Sequence, residues 1–101
     1  MAITCTGADR TLVLSISGEV DHHSAGEILA VLDRSVEEHL PRGMTLDLGG
    51  VTFMDSSGIA VLLRAYRRMV ALCGSLTVRN VPPQAAKVLN AAGLGRMIKF
   101  E

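Results

Sequence analysis

Residues 46–63 read LDLGGVTFMDSSGIAVLL, and this stretch decides the predicted fold. Its first part belongs to a buried strand predicted over 44–48, which Gly49 and Gly50 end. Its last part begins a helix predicted over 57–73, whose apolar residues recur at helical spacing. The polar sequence DSSG lies between the two. A strand, a short loop and a helix in this order are typical of an open α/β sheet, which usually meets ligands and partners at this edge.

The rest of the chain alternates between strands and helices. Two strands near the N-terminus form a predicted hairpin around the turn GADR at 7–10. Each later strand is separated from the next by a helix, which allows parallel pairing through crossovers. The fold class is therefore predicted as α/β, with a single mixed β-sheet packed against helices. The predicted order is β-β-α-β-α-β-α-β, with elements at 3–6, 11–17, 24–40, 44–48, 57–73, 76–78, 84–92 and 97–100.

Local signals mark the ends of the predicted helices. Ser24 and Glu27 have the spacing of a capping box at the start of the first helix. Gly74 is expected just past the end of the second helix, where a left-handed residue often terminates the hydrogen-bonding pattern. Pro82 and Pro83 are predicted to open the third helix, since proline is favoured in a first turn, and Gly93 is expected to end it.

The composition fits one cytoplasmic domain, predicted to span 1–101. Ten basic residues balance ten acidic residues, which argues against a general electrostatic grip on nucleic acid or an anionic membrane. The first ten residues lack a signal-peptide pattern, and the longest apolar run, 59–63, is far too short to span a membrane. Cys5 and Cys73 lie in apolar stretches and are predicted to be buried, reduced thiols.

The DSSG sequence has two interpretations. Ser56 or Ser57 can cap the second helix, which needs one hydroxyl. A cap alone does not explain the rest of the stretch, which also has a second serine, the preceding Asp55 and the following Gly58. A phosphate is favoured at a helix N-terminus, whereas Asp55 repels it, and this conflict suits a reversible switch. Gly58 lacks a side chain and lets another surface approach the backbone.

Other patterns predict no enzyme, catalytic residue, cofactor or metal site. His22 and His23 are adjacent, so their side chains diverge, and no Cys/His cluster has metal-ligand spacing. The phosphate-binding and nucleophile-elbow motifs of common enzymes are absent from the sequence. A stripe of arginines at helical spacing is either a solvated face or a docking surface for an acidic partner. It comprises Arg64, Arg67 and Arg68.

Two stretches together resemble a known family. GEVDHHSA at 18–25 and LDLGGVTFMDSSGIAVLL at 46–63 resemble STAS domains, and more narrowly the anti-sigma-factor antagonists of the sporulation sigma-F type. The resemblance covers nearly the whole chain and implies a STAS fold. Family members often continue into a final helix, whereas this sequence stops at Glu101.

The resemblance also implies a mechanism and a site. Such a protein binds an anti-sigma factor that is also a serine kinase carrying ATP or ADP, and binding frees the sigma factor. The kinase phosphorylates the first serine of DSSG, here Ser56, and the modified protein dissociates until a serine phosphatase restores it. Asp21, Asp55, Ser57 and Gly58 are expected to line the partner-binding surface with Ser56. The free protein is expected to be a monomer.

Three alternatives stay open. The sigma factor served belongs to either a sporulation or a general-stress pathway, and the sequence DHHS favours sporulation. A STAS domain can instead bind a nucleotide or lipid in a groove near FMDSSG. A small enzyme using Asp55 and Ser56 is the third alternative, and turnover by the isolated protein would indicate it.

Overall fold

A computed structural model describes residues 2–101, so Met1 of the predicted domain lies outside the described part. The elements are β1 Ala2–Ala8, β2 Thr11–Val20, α1 His22–His39, β3 Gly43–Met54, α2 Ser57–Ala71, β4 Ser75–Arg79, α3 Pro83–Ala91, a 3₁₀ turn Leu94–Arg96 and β5 Lys99–Phe100. The five strands form one sheet in the order β1-β2-β3-β4-β5, with β1 antiparallel to β2 and the remaining neighbours parallel. The predicted α/β class and element order are confirmed.

The core lies between the helices and one face of the sheet. Along β2, Leu12, Leu14 and Ile16 are buried, whereas the alternate positions remain partly or fully exposed. This alternation follows from the two-residue period of a strand, which points successive side chains to opposite faces. The buried positions of α1, α2 and α3 join the same apolar cluster. The opposite face carries small polar side chains such as Ser15 and Thr77.

Strand β3 is longer than predicted, because Gly49 and Gly50 do not end it. The strand continues to Met54, and β2 continues beside it to Val20. Two register shifts in the β2–β3 pairing each place one extra residue on β3. At the first shift, a Cβ on Gly50 would lie 2.7 Å from the Cβ of Ser17. Gly50 therefore permits a close approach of the two strands at a β-bulge, and the prediction that it ends the strand was wrong.

The signals predicted at two helix ends were also wrong in detail. Helix α1 begins at His22, with Asp21 as its N-cap, so Ser24 is the third helical residue. At the end of α2, Cys73 takes the left-handed conformation with φ 56°. Gly74 instead allows close packing, since a Cβ there would lie 2.5 Å from the carbonyl oxygen of Arg42. Gly93 follows α3 with φ 73°, as expected.

Cys73 is exposed and Cys5 is half-buried, so the prediction of two buried thiols was wrong. Cys73 lies in the turn after α2, past the last residue of the helix's apolar face. An apolar neighbourhood in sequence therefore did not translate into burial at this position.

Two arginines of the predicted stripe form ion pairs with α1. Arg64 Nη1 lies 2.6 Å from Asp33 Oδ2, and Arg68 Nη2 lies 3.3 Å from Glu37 Oε1. These pairs connect the outer surfaces of α1 and α2. The simple picture of a solvated face therefore does not describe Arg64 and Arg68, and an acidic partner would have to compete with α1 for them. Arg67 is exposed.

Candidate functional site

The DSSG stretch lies at the tip of a two-stranded arm. Strand β4 pairs only with the first five residues of β3, ending opposite Asp47, whereas β2 follows β3 as far as Met54. The β2–β3 pair therefore extends beyond β4, and α2 starts three residues after the arm ends. The tip holds residues 55 and 56, which connect strand to helix.

The base of the arm is fixed where β4 leaves β3. Asp47 Oδ1 accepts hydrogen bonds from the Gly49 N–H at 2.9 Å and from Asn80 Nδ2 at 3.2 Å. Arg79 Nε donates to Asp47 Oδ2 at 3.2 Å. The pKa of Asp47 is lowered, chiefly by the Gly49 N–H bond, with further contributions from Asn80 and Arg79. The carboxylate thus stabilises the point where β4 leaves β3 and β3 continues beside β2.

Asp55 connects both sides of the tip. Its N–H donates to the carbonyl of Val20 at 3.0 Å, which extends the β2 contact by one residue. Its Oδ1 accepts the Ser57 N–H at 2.7 Å, and its carbonyl accepts the Gly58 N–H at 3.0 Å. Asp55 therefore satisfies two of the free N–H groups at the start of α2. The interpretation in which a serine hydroxyl caps this helix was wrong, because the Asp55 carboxylate caps it instead.

Ser56 is left exposed at the N-cap position. Its backbone is already helical, with φ −62° and ψ −16°, and its side chain makes no capping hydrogen bond. A conventional N-cap residue has a non-helical backbone, so this helical φ/ψ agrees with the missing capping bond. The hydroxyl is available to a reagent from solvent without loss of a helix cap. Ser57 is half-buried in the first turn.

Gly58 is buried beneath the last residue of β3. A Cβ at Gly58 would overlap the Sδ, Cγ and Cε atoms of Met54, which is itself 1% exposed. The glycine therefore makes room for a methionine of the same chain, a packing requirement that the sequence did not display.

Asp21 caps α1 beside the tip of the arm. Its Oδ1 accepts the N–H groups of His23 and Ser24, both at 3.0 Å. Ser24 Oγ accepts the Asp21 N–H at 3.0 Å and donates to the Glu19 carbonyl at 2.9 Å. The pKa of Asp21 is lowered, chiefly by the Ser24 N–H bond. Because Asp21 follows Val20, which bonds to Asp55, the two aspartates lie at neighbouring loops of one edge.

Sequence reasoning missed several residues of this edge. Phe53 is 44% exposed and pairs across the strands with Glu19, although phenylalanine is usually buried. Simple alternation would place Phe53 on the same face as the buried Val51, and the register shift between these two residues exposes Phe53 instead. Glu19, Asp21 and Glu27 line a shallow depression with His23 and Thr52. Three carboxylates disfavour an anionic ligand here, so the depression is a poor site for a nucleotide or phospholipid.

Gln84 was also missed. This residue of α3 makes two hydrogen bonds to the backbone of Met54: its Oε1 accepts the Met54 N–H, and its Nε2 donates to the Met54 carbonyl, both at 2.8 Å. The two residues are 30 positions apart, and no local pattern indicates the contact.

Among residues 2–101, no group of three or more His, Cys, Asp or Glu side chains is arranged to hold a metal ion. No helix of that range is both long and apolar enough to cross a membrane.

The strand order, the arm and the DSSG tip together define the class of protein. The chain belongs to the STAS domain family, whose profile matches residues 2–101. This finding confirms the family resemblance of the sequence.

Individual relatives are known as anti-sigma factor antagonists. The chain is 33% identical over 85 residues to the anti-sigma F factor antagonist of Lysinibacillus sphaericus, covering 84% of this chain and 73% of that protein. The unphosphorylated anti-sigma factor antagonist SpoIIAA has a TM-score of 0.85 at 28% identity, covering 99% of this chain and 88% of that one. The phosphorylated form of the Bacillus cell fate determinant SpoIIAA has a TM-score of 0.76 at 28% identity, covering 99% and 91%.

Proposed function

We propose that this protein is an anti-sigma factor antagonist of the sporulation sigma-F type, switched off by phosphorylation of Ser56. One observation carries the proposal. The Ser56 hydroxyl is exposed at the start of α2, and Asp55 rather than Ser56 caps that helix. The hydroxyl can therefore accept a phosphoryl group without disturbing the fold. The relatives named anti-sigma F factor antagonist support the choice of pathway.

The partner in this proposal is an anti-sigma factor that is also a serine kinase and carries ATP or ADP. The kinase transfers a phosphoryl group to Ser56, and a separate serine phosphatase removes it. The protein itself then needs no catalytic residue and no cofactor, and it acts in the cytoplasm as a monomer until it binds. SpoIIAA, which has been solved in an unphosphorylated and a phosphorylated form, supports a switch of this kind.

The partner-binding surface in this proposal combines the tip of the arm with the start of α1. Asp21, Asp55, Ser56 and Ser57 contribute side chains, and Gly58 contributes the shape of the helical turn. Phe53 adds an exposed aromatic ring three residues before Ser56. An aromatic side chain within a polar rim has the composition of a binding hot spot. The surrounding carboxylates favour a partner with basic residues around an apolar pocket.

Charge explains how the switch works. A phosphate adds about −1.5 to −2 charges at neutral pH. It would stand next to Asp55 on an edge that already carries Glu19, Asp21 and Glu27. In the interface the phosphate would lose its hydration without gaining a matching cation, and this weakens binding. A loss of about 4 kcal/mol of binding free energy lowers the affinity roughly a thousandfold. The mechanism requires no change of fold.

The direct functional test is release of a sigma factor. The complex of sigma-F and its anti-sigma factor, purified from the bacterium that encodes this chain, is mixed with the protein in the presence of ADP, and free sigma factor is measured. The wild type and Ser56→Ala are expected to release sigma factor, whereas Ser56→Asp should release little. Ser75→Ala, which changes an exposed serine at the start of β4 outside this surface, serves as the control and should behave as wild type. Equal release by Ser56→Ala and Ser56→Asp would overturn the switch.

A further inference from the structure

Among the described strands, none lies beside the outer edge of β3 at Met54, and a side chain forms the bonds there instead. Gln84 accepts the Met54 N–H and donates to the Met54 carbonyl, both at 2.8 Å, which is the pair of bonds that an adjacent strand would provide. We infer that Gln84 is a positioning residue for phosphorylation of Ser56. This inference rests on the proposed function, because it concerns the presentation of that hydroxyl.

Met54 is the last fixed point before the tip. Its side chain is fully buried against Gly58, and its backbone is held on one side by β2 and on the other by Gln84. Only Asp55 separates it from Ser56. Asp55 in turn bonds to Val20 and to the first turn of α2. If the Gln84 bonds are lost, the outer side of Met54 is free to move, and the movement passes directly to Ser56.

Helix α3 holds Gln84 in place before any partner binds. Gln84 is the second residue of the helix, after Pro82 at the N-cap and Pro83 at the first position. Proline restricts its own φ and thereby lowers the freedom of the chain entering the helix. Ala85 and Leu89 of the same helix are 1% exposed and anchor it to the core. The amide of Gln84 is thus carried by a rigid element, as a positioning group requires.

The experiment measures steady-state phosphorylation of this protein by its anti-sigma kinase with ATP, as a function of the protein's concentration. For Gln84→Ala we expect kcat to fall by roughly tenfold or more, because misplacement of a reacting group by about 1 Å can cost a hundredfold in rate. KM should stay within about twofold, since the rest of the partner surface is untouched. Gln84→Glu keeps the acceptor but loses the donor to the Met54 carbonyl, and its kcat should also fall.

The control separates positioning from general stability. Val88→Ala removes a half-buried side chain from the same helix without touching Met54. Assays are run where circular dichroism shows every variant folded. Val88→Ala should keep the wild-type kcat even where it unfolds at lower urea than Gln84→Ala. A parallel fall of kcat in Val88→Ala would overturn the inference.

Amide hydrogen exchange tests directly the hydrogen bond from the Met54 N–H to Gln84. The Met54 amide of the wild type should be protected, and Gln84→Ala should accelerate its exchange. Exchange of the Leu46 amide, where β3 pairs with both β2 and β4, should be unchanged. An unprotected Met54 amide in the wild type, or an unaltered kcat in both Gln84 variants, overturns the inference and leaves the proposed function standing. A wild type that the kinase does not phosphorylate overturns the proposed function, and the positioning role falls with it.

Discussion

The carboxylate of Asp55 accepts the backbone N–H of Ser57 at 2.7 Å, and this bond caps helix α2 from the residue before Ser56. The usual arrangement would place a serine hydroxyl on the helix N–H groups. Here Ser56 occupies the N-cap position but its hydroxyl is not used. Asp55, whose charge would repel a phosphate, therefore caps the helix and leaves the Ser56 hydroxyl available.

Because Asp55 caps α2, substitution of Asp55 should lower stability more than substitution of the adjacent Ser56. Asp55→Ala should lower the free energy of unfolding by about 1 kcal/mol, the typical cost of losing a helix cap. Ser56→Ala, the matched control, should change it by less than about 0.5 kcal/mol, as expected for a surface residue without a structural bond. Urea unfolding followed by circular dichroism measures both. The reverse ranking of the two variants would show that the serine is the cap.

The contact between Met54 and Gly58 predicts that Gly58→Ala destabilises the wild-type protein but does not destabilise a Met54→Ala variant. Gly58→Ala should destabilise the protein by about 1 kcal/mol or more, because overpacking a core typically costs 1–3 kcal/mol. In a Met54→Ala background the same change should be neutral or stabilising by up to about 1 kcal/mol, the advantage of alanine over glycine in a helix.

Gly26→Ala is the control for this pair. Gly26 lies in α1, and a Cβ there would meet nothing within 4 Å. Gly26→Ala should therefore stabilise both the wild-type protein and the Met54→Ala variant. Purely additive effects of the Met54 and Gly58 changes in urea unfolding would mean that the two residues are not in contact.

Phe53 is expected to anchor the anti-sigma factor. Phe53→Ala should weaken binding of the unphosphorylated protein by about tenfold or more, since hot-spot aromatics contribute over 1 kcal/mol. Val70→Ala removes a side chain that is 55% exposed on α2, and it should change the binding free energy by less than about 0.5 kcal/mol. Isothermal titration calorimetry compares the two. Similar affinities for both variants would place the interface elsewhere.

Two aspartates with lowered pKa predict how stability depends on pH. The pKa of Asp47 is lowered chiefly by the Gly49 N–H, and that of Asp21 chiefly by the Ser24 N–H. Each carboxylate stabilises the fold fully above its ordinary pKa of 3.8 and loses this contribution as pH falls through its lower folded value. The free energy of unfolding should therefore decrease as the solution is acidified below pH 3.8.

Variants of the Asp47 cluster test the assignment. Asp47→Asn cannot titrate, so its stability should fall less steeply with acid than that of the wild type. Asn80→Ala removes one donor and keeps the carboxylate, so it should flatten the dependence less than Asp47→Asn does. Urea unfolding across the acid range gives both slopes, and identical slopes for Asp47→Asn and wild type would contradict the role of this carboxyl.

Patterns in the sequence predicted the order of elements and the location of the loop. Two-residue alternation and helical spacing are local, and they identified the elements and placed DSSG between strand and helix. The glycines at 49 and 50 were misread because a glycine that ends a strand and one that permits a bulge look the same in sequence. What distinguishes them is the close approach of Ser17, which belongs to another strand.

Other features depend on contacts that the sequence does not display. The cap of α1 uses Asp21 and Ser24, whereas a capping-box pattern also fits Ser24 and Glu27, and only the helix start separates the two. Gln84 reaches Met54 across 30 positions. Arg64 was read as part of a stripe on one helix, although its partner Asp33 lies on another. Pairings between elements decide these details.

The most direct test of the central claim is the site of phosphorylation. The protein is incubated with ATP and a sporulation-type anti-sigma kinase, its intact mass is measured, and the phosphate is located by fragmentation. Ser57→Ala and Ser56→Ala are treated in parallel. A single phosphate on Ser56 in the wild type and in Ser57→Ala, with none in Ser56→Ala, is the predicted result. An unmodified wild type beside an active kinase, or a phosphate on Ser57, would contradict the account.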